Sequence, residues 1–113
     1  MFMFKSKALI QLDQINDGDS AAVVAKIDGV KTSLIVVRQG QQAFVYINVC
    51  PHIGAPLDFE PGRFLNLEKD LIQCSVHGAL FTIDAGACVQ GPCIGKHLTP
   101  VATHIKKGAV YLD

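Results

Sequence analysis

At 113 residues, half of them apolar, the chain is long enough for one domain with a modest core. Its 10 basic and 10 acidic residues cancel, which leaves no nucleic-acid footprint and no polybasic patch for a membrane surface. No stretch approaches the roughly 18 uninterrupted apolar residues of a membrane span. The opening Met1-Phe2-Met3-Phe4-Lys5 lacks the apolar region and cleavage site of a signal peptide, so a cytoplasmic chain is expected.

Residues 7–12 predict a first strand, followed by a polar turn at Asp17-Gly18-Asp19. Residues 21–27 and 31–38 are rich in Val, Ile and Ala and flank Asp28-Gly29, a dipeptide that suits a tight hairpin. Gln39-Gly40-Gln41 turns the chain into a further strand over 43–48. These four strands read as an antiparallel meander. A loop over 50–57 then interrupts it, with Pro51, Gly54 and Pro56 as breakers. Residues 58–70 form a polar excursion with a turn at Glu60-Pro61-Gly62.

Residues 71–73 re-enter a strand that leads to Cys74, and 79–83 form the next. Asp84-Ala85-Gly86 turns the chain back through 87–90, and Gly91-Pro92-Cys93-Ile94-Gly95 makes a third loop. Residues 101–106 and 109–112, with Lys107-Gly108 between them, close the chain as a final hairpin. The sum is an all-β domain of about nine short strands, an antiparallel sandwich or barrel.

The chemistry concentrates in two segments, Cys50-Pro51-His52 and Cys74-Ser75-Val76-His77, with 21 residues between His52 and Cys74. Each pairs a thiolate donor with an imidazole. A zinc finger groups its two cysteines in one pair and its two histidines in another, so this spacing does not suit one. It suits a [2Fe–2S] cluster in which the protein brings two donors to each iron. Replacing two thiolates by neutral imidazoles makes the oxidised site nearly neutral and eases reduction. The imidazoles can also couple proton and electron binding.

Cys-x-His followed by Cys-x-x-His resembles the Rieske iron–sulfur proteins, and the resemblance is most specific over residues 50–95. It implies one [2Fe–2S] cluster, with Cys50 and Cys74 on the inner iron and His52 and His77 on the outer one. It also implies a Rieske-like antiparallel sandwich or barrel with an inserted cluster-binding subdomain. That subdomain would span about 49–95, on a base sheet from about 1–48 and 96–113 of a single 1–113 domain. Gly54 and Gly78 would let bare backbone approach the sulfides and donate N–H bonds, and Gly91-Pro92 matches the loop that covers the cluster.

Two departures from the pattern are informative. Rieske proteins of cytochrome bc-type complexes carry an extra Cys in each ligand loop, joined as a disulfide; Ala55 and Val76 (or Ser75) stand there instead. Ala79 and Phe81 occupy positions where those relatives place a Ser and a Tyr that donate hydrogen bonds to sulfur. Both point to the soluble ferredoxin branch, and the second to a midpoint potential near the low end of the Rieske range.

The resemblance therefore implies a one-electron carrier between a reductase and a terminal oxygenase or related oxidoreductase. It would be a redox component with no catalytic acid or base of its own. The alternatives are the small Rieske subunit of a larger enzyme such as nitrite reductase, or an isolated redox sensor. An oxygenase large subunit does not fit, because too few residues follow the third loop for a catalytic domain. Cys88 and Cys93 read as packed thiols, with a loop disulfide as the alternative. His97 and His104 read as ordinary surface histidines, His104 facing solvent.

Overall fold

The computed structural model describes residues 7–51, 54–58, 60–75 and 78–113. His52, Ile53, Val76, His77 and the opening segment 1–6 lie outside the described residues. Nine strands run through them: β1 (Ile10–Gln11), β2 (Ser20–Ile27), β3 (Val30–Gln39), β4 (Gln42–Ile47), β5 (Leu71–Gln73), β6 (Leu80–Thr82), β7 (Cys88–Gln90), β8 (Thr103–Lys106) and β9 (Ala109–Leu112). They form three antiparallel three-stranded sheets, ordered β1-β9-β8, β2-β3-β4 and β5-β6-β7.

Three hairpins close through two-residue turns whose sequences supply the left-handed backbone they need. Ile27 faces Val30 across Asp28-Gly29, with φ of 50° and 79°, and Lys106 faces Ala109 across Lys107-Gly108, with 50° and 75°. Two positive φ angles in succession match the right-handed strand twist. Gln39 faces Gln42 across Gly40 and Gln41, where Gly40 alone has positive φ.

β3 shows why a central strand reads as a continuous apolar run. Leu34, Ile35, Val36 and Val37 are all fully buried, because the β2-β3-β4 sheet carries a core on each face. Leu34 and Val36 join Leu12, Ile15, Val45 and Val110 on the side of the β1-β9-β8 sheet. Ile35 and Val37 join Tyr46, Phe64, Ile72 and Phe81 on the side of the β5-β6-β7 sheet, and Cys50, Cys74, Cys88 and Cys93 belong to this second core. The period-two alternation of strand side chains thus sorts one run into two cores.

Two local expectations differ from the structure. The first strand is only two residues long, because Leu12–Gln14 winds into a 3-10 turn that buries Leu12. It pairs with β9 and not with β2, so the meander begins at β2. The chain ends meet in this way, and Val101 N–H to Val45 O (2.9 Å) and Ile47 N–H to Thr99 O (2.9 Å) fasten their sheet to β4. Thr103 is also the first strand residue of β8, two later than the sequence predicts.

Candidate metal centre

Each cysteine loop has the same backbone frame. Cys50 N–H donates to Ala55 O (2.7 Å), and Gly54 N–H donates to Cys50 O (2.8 Å). Cys74 N–H donates to Ala79 O (2.8 Å), and Gly78 N–H donates to Cys74 O (3.0 Å). Both stretches are Cys-x-x-x-Gly-Ala, so the repeat is visible in the residues themselves. Gly54 and Gly78 have φ of 72° and 67°, which residues with a Cβ adopt at a cost. Their N–H groups close the loop frames and so are not the sulfide donors that the sequence suggested.

The loops are tied to each other by Ser75 N–H to Leu57 O at 3.0 Å. The second loop is the connection between β5 and β6, with Gln73 facing Leu80 at its base. The first loop leaves the end of β4 and is held by Asn48, a buried polar residue. Asn48 accepts the Leu57 N–H at 2.8 Å, and its amide donates to Asp58 Oδ1 at 3.0 Å and Ser33 Oγ at 3.2 Å. Sequence reasoning passed over Asn48. A signal was present: a lone amide at the end of an apolar strand, two residues before a ligand cysteine, must find partners once buried.

Cys50 and Cys74 are 1% and 0% exposed, in one core with Leu57, Ile72 and Phe81. His52 and His77 lie outside the described residues, and among the described residues no group of three or more His, Cys, Asp or Glu is placed to hold an ion. Two buried thiols, each opening a glycine-closed loop, with the loops hydrogen-bonded side to side, are a donor set that fits a thiolate-held iron–sulfur group. Ala79 and Phe81 are fully buried beside them and bring no polar side-chain atom.

The third loop reaches both ligand loops. A Cβ on Gly91 would lie 2.8 Å from Ala79 Cα, so the glycine rests directly on the second loop. Cys93 Sγ lies 4.0 Å from Cys50 Sγ, at the first loop. Cys93 is completely buried; that burial, and then the neighbouring Cys50 and Cys88 sulfurs, push its thiol up to about 11. Cys88 donates to Gln90 O at 3.3 Å, and the two cysteines are not joined. Neither histidine outside the ligand set approaches a metal role. His97 Nδ1 meets Leu98 O at 3.0 Å, and exposed His104 pairs with Asp113 Oδ1 at 2.8 Å and stacks on Tyr111. The exposure of His104 is as its strand phase predicts.

No helix is long and apolar enough to cross a membrane among the described residues. Among solved structures, the chain is similar to the ferredoxin of carbazole 1,9a-dioxygenase from Nocardioides aromaticivorans IC177, at 24% identity and a TM-score of 0.73, over 96% of this chain and 97% of that one. It is similar to the Sphingomonas yanoikuyae B1 ferredoxin at 27% identity and a TM-score of 0.70, over 96% and 98%. The terminal oxygenase of carbazole 1,9a-dioxygenase from Nocardioides aromaticivorans IC177 has the same fold in 29% of its length, at 20% identity and a TM-score of 0.73 over 93% of this chain. No curated protein matches the chain by sequence. The family model of the Rieske [2Fe-2S] domain matches residues 6–106. Matched over nearly its whole length, and with its two cysteine loops built on one frame, the chain belongs to the Rieske [2Fe-2S] domain family.

Proposed function

We propose that this protein is a Rieske ferredoxin, a one-electron carrier that takes an electron from a reductase and delivers it to a terminal oxygenase or related oxidoreductase. One cluster would be held by Cys50, His52, Cys74 and His77, and when bound it supplies the reversible one-electron couple. The observation that carries the reading is the pair of identical loop frames, each opening on a buried cysteine and joined by the Ser75–Leu57 bond. The two ferredoxins of like length and fold support the carrier role over an enzyme with a catalytic domain of its own. On this reading residues 49–95 form the cluster-binding unit on a base made by about 1–48 and 96–113. A cytoplasmic location belongs to it as well, since unbridged Cys88 and Cys93 suit a reducing compartment.

The chain's own part is to hold, shield and present. Phe81, Ile72 and Leu57 exclude water from the cysteine side, while Val49 and Ile94 stay exposed around the loops, Ile94 at 67%. Residues 50–57, 74–79 and 91–95 contain no Lys, Arg, Asp or Glu, so docking of the partner is apolar and brief and does not depend on charge steering. Buried Ala79 and Phe81 offer no hydroxyl to a sulfur, which keeps the potential in the lower part of the range of about −150 to +300 mV.

The test is metal and acid-labile sulfide analysis of protein from iron-replete cells, followed by stopped-flow reduction and reoxidation against a reductase and an oxygenase at several salt concentrations. Two irons and two sulfides per chain, with rates nearly flat in salt, are expected. Stoichiometric zinc would sink the cluster, and a tenfold rate loss between low and physiological salt would sink apolar docking. Co-elution with one large enzyme through purification would replace the shuttle by a fixed subunit.

A further inference from the structure

We propose that Cys93 is a positioning residue for the Cys50 sulfur: its thiol donates an S–H···S hydrogen bond to that sulfur and biases the bound centre toward its reduced form. The inference rests on the reading of Cys50 as a ligand. It starts from the 4.0 Å contact between the two Sγ atoms, within the longer reach that sulfur allows.

The direction of the bond follows from elimination. A Cys50 sulfur bound to iron is a thiolate with no hydrogen, so it can only accept. Cys88 is the other cysteine hydrogen-bonded to Cys93; its own hydrogen goes to Gln90 O at 3.3 Å, so toward Cys93 it too can only accept. The remaining donor to the Cys50 sulfur is Cys93, which is fully buried. Its backbone is fixed on both sides: Lys96 N–H donates to Cys93 O at 2.8 Å, and Cys88 N–H donates to Lys96 O at 3.0 Å. Gly91 seats the same loop against Ala79, and the placement of the thiol is therefore set by the second ligand loop as well as the first.

The consequence is electrostatic. Reduction adds a negative charge that spreads onto the sulfurs, and a donor aimed at one of them stabilises the reduced form more than the oxidised form. The Gly54 and Gly78 N–H groups are committed to the loop frames, and Ala79 and Phe81 bring no side-chain donor. A thiol at Cys50 therefore carries a share of the work that hydroxyl groups do elsewhere.

The decisive experiment compares midpoint potentials of loaded wild type, Cys93→Ala, Cys93→Ser and Cys88→Ala by protein-film voltammetry. Cys93→Ala should lower the reduction equilibrium constant by about threefold to tenfold, which is roughly 30 to 60 mV for a one-electron couple. Cys93→Ser keeps a hydrogen to donate and should recover part of the loss, and Cys88→Ala should leave the potential in place. An unchanged or raised potential in Cys93→Ala with an intact cluster would overturn the proposal.

A second readout is spectroscopic. In reduced-minus-oxidised infrared spectra of the wild type, the Cys93 S–H band, told from that of Cys88 by its loss in Cys93→Ala, should shift to lower frequency on reduction, as the acceptor gains charge. A Cys93 band that does not move would also overturn it. Wild-type protein that takes up no iron and sulfide would instead refute the ligand reading, so the two failures are distinguishable.

Discussion

The two cysteine loops share a backbone and differ in what holds it. The second is a hairpin connection, and the pairing of β5 with β6 continues into it through Cys74 and Ala79. The first has no partner strand on its far side. β4 ends at Ile47, and beyond it the side chain of Asn48 braces the chain by bonding Leu57, Asp58 and Ser33. Asp58 in turn accepts the Gly62 N–H at 3.2 Å, which leads this network into the polar excursion. The same backbone frame is thus braced once by a continuing strand pair and once by a small buried polar network. The second solution concentrates its risk, because a half-satisfied network costs more than none.

The comparison would break most completely at the sulfurs. If both loops supply ligands, Cys50→Ala and Cys74→Ala should each abolish the visible absorption and the bound iron, while Cys88→Ser should keep both; absorption spectra and iron analysis check this. Retention of a normal spectrum in either alanine variant would end the equivalence of the loops.

Next in size is the asymmetry of support. Asn48→Ala leaves Leu57 N–H without its partner and takes the amide donor from Asp58 Oδ1, and should destabilise the fold by about 3 kcal/mol. Gln73→Ala, at the base of the other loop on an exposed side chain, should stay within about 0.5 kcal/mol. Urea unfolding of the two variants measures both, and equal losses would mean that the loops are held alike.

A smaller effect tests the third loop's seat. Gly91→Ala drives a Cβ to 2.8 Å from Ala79 Cα at a φ of 98°, and should cost about 2 kcal/mol. Gly54→Ala meets nothing within 4 Å and carries only the backbone cost of about 1 kcal/mol. The difference between the two midpoints in urea isolates the contact.

A modest effect is expected at Tyr46, whose hydroxyl donates to Ile83 O at 2.6 Å and joins β4 to the sheet that carries the second loop. Tyr46→Phe should cost about 1 kcal/mol. Burial first, and then the charge of Asp84, raise this phenol from 10.0 to about 12. Its neutral form is therefore favoured by folding: the contribution is whole below pH 10 and is lost as pH rises toward 12. Unfolding free energies across that window should fall in the wild type and fall less steeply in Tyr46→Phe.

Local chemistry was the legible part of this chain. Asp28-Gly29 and Lys107-Gly108 announced their hairpins, and alternation or apolar runs marked every strand within a few residues. Contacts that join distant segments left no local trace. The pairing of β1 with β9 depends on where both ends of the chain arrive, and the 3-10 turn at Leu12–Gln14 is set by the burial of Leu12. At the site, Cys50 and Cys74 stood out by motif. Asn48 was hidden because its role appears only when Leu57, Asp58 and Ser33 converge. Cys93 looked like one more packed thiol, since nothing in a chain of letters says that residue 93 lies against residue 50.

The bond from Ser75 to Leu57 bears on the speed of the proposed electron transfer. A carrier is limited by the reorganisation energy, the work of rearranging atoms and solvent to suit the new charge. Two ligand loops able to drift apart would move with every change of oxidation state. Here a backbone hydrogen bond crosses between them, both cysteines are buried, and the close-packed core around them has little freedom to shift. Such a frame favours a small rearrangement when the electron arrives, which suits a brief contact with a partner.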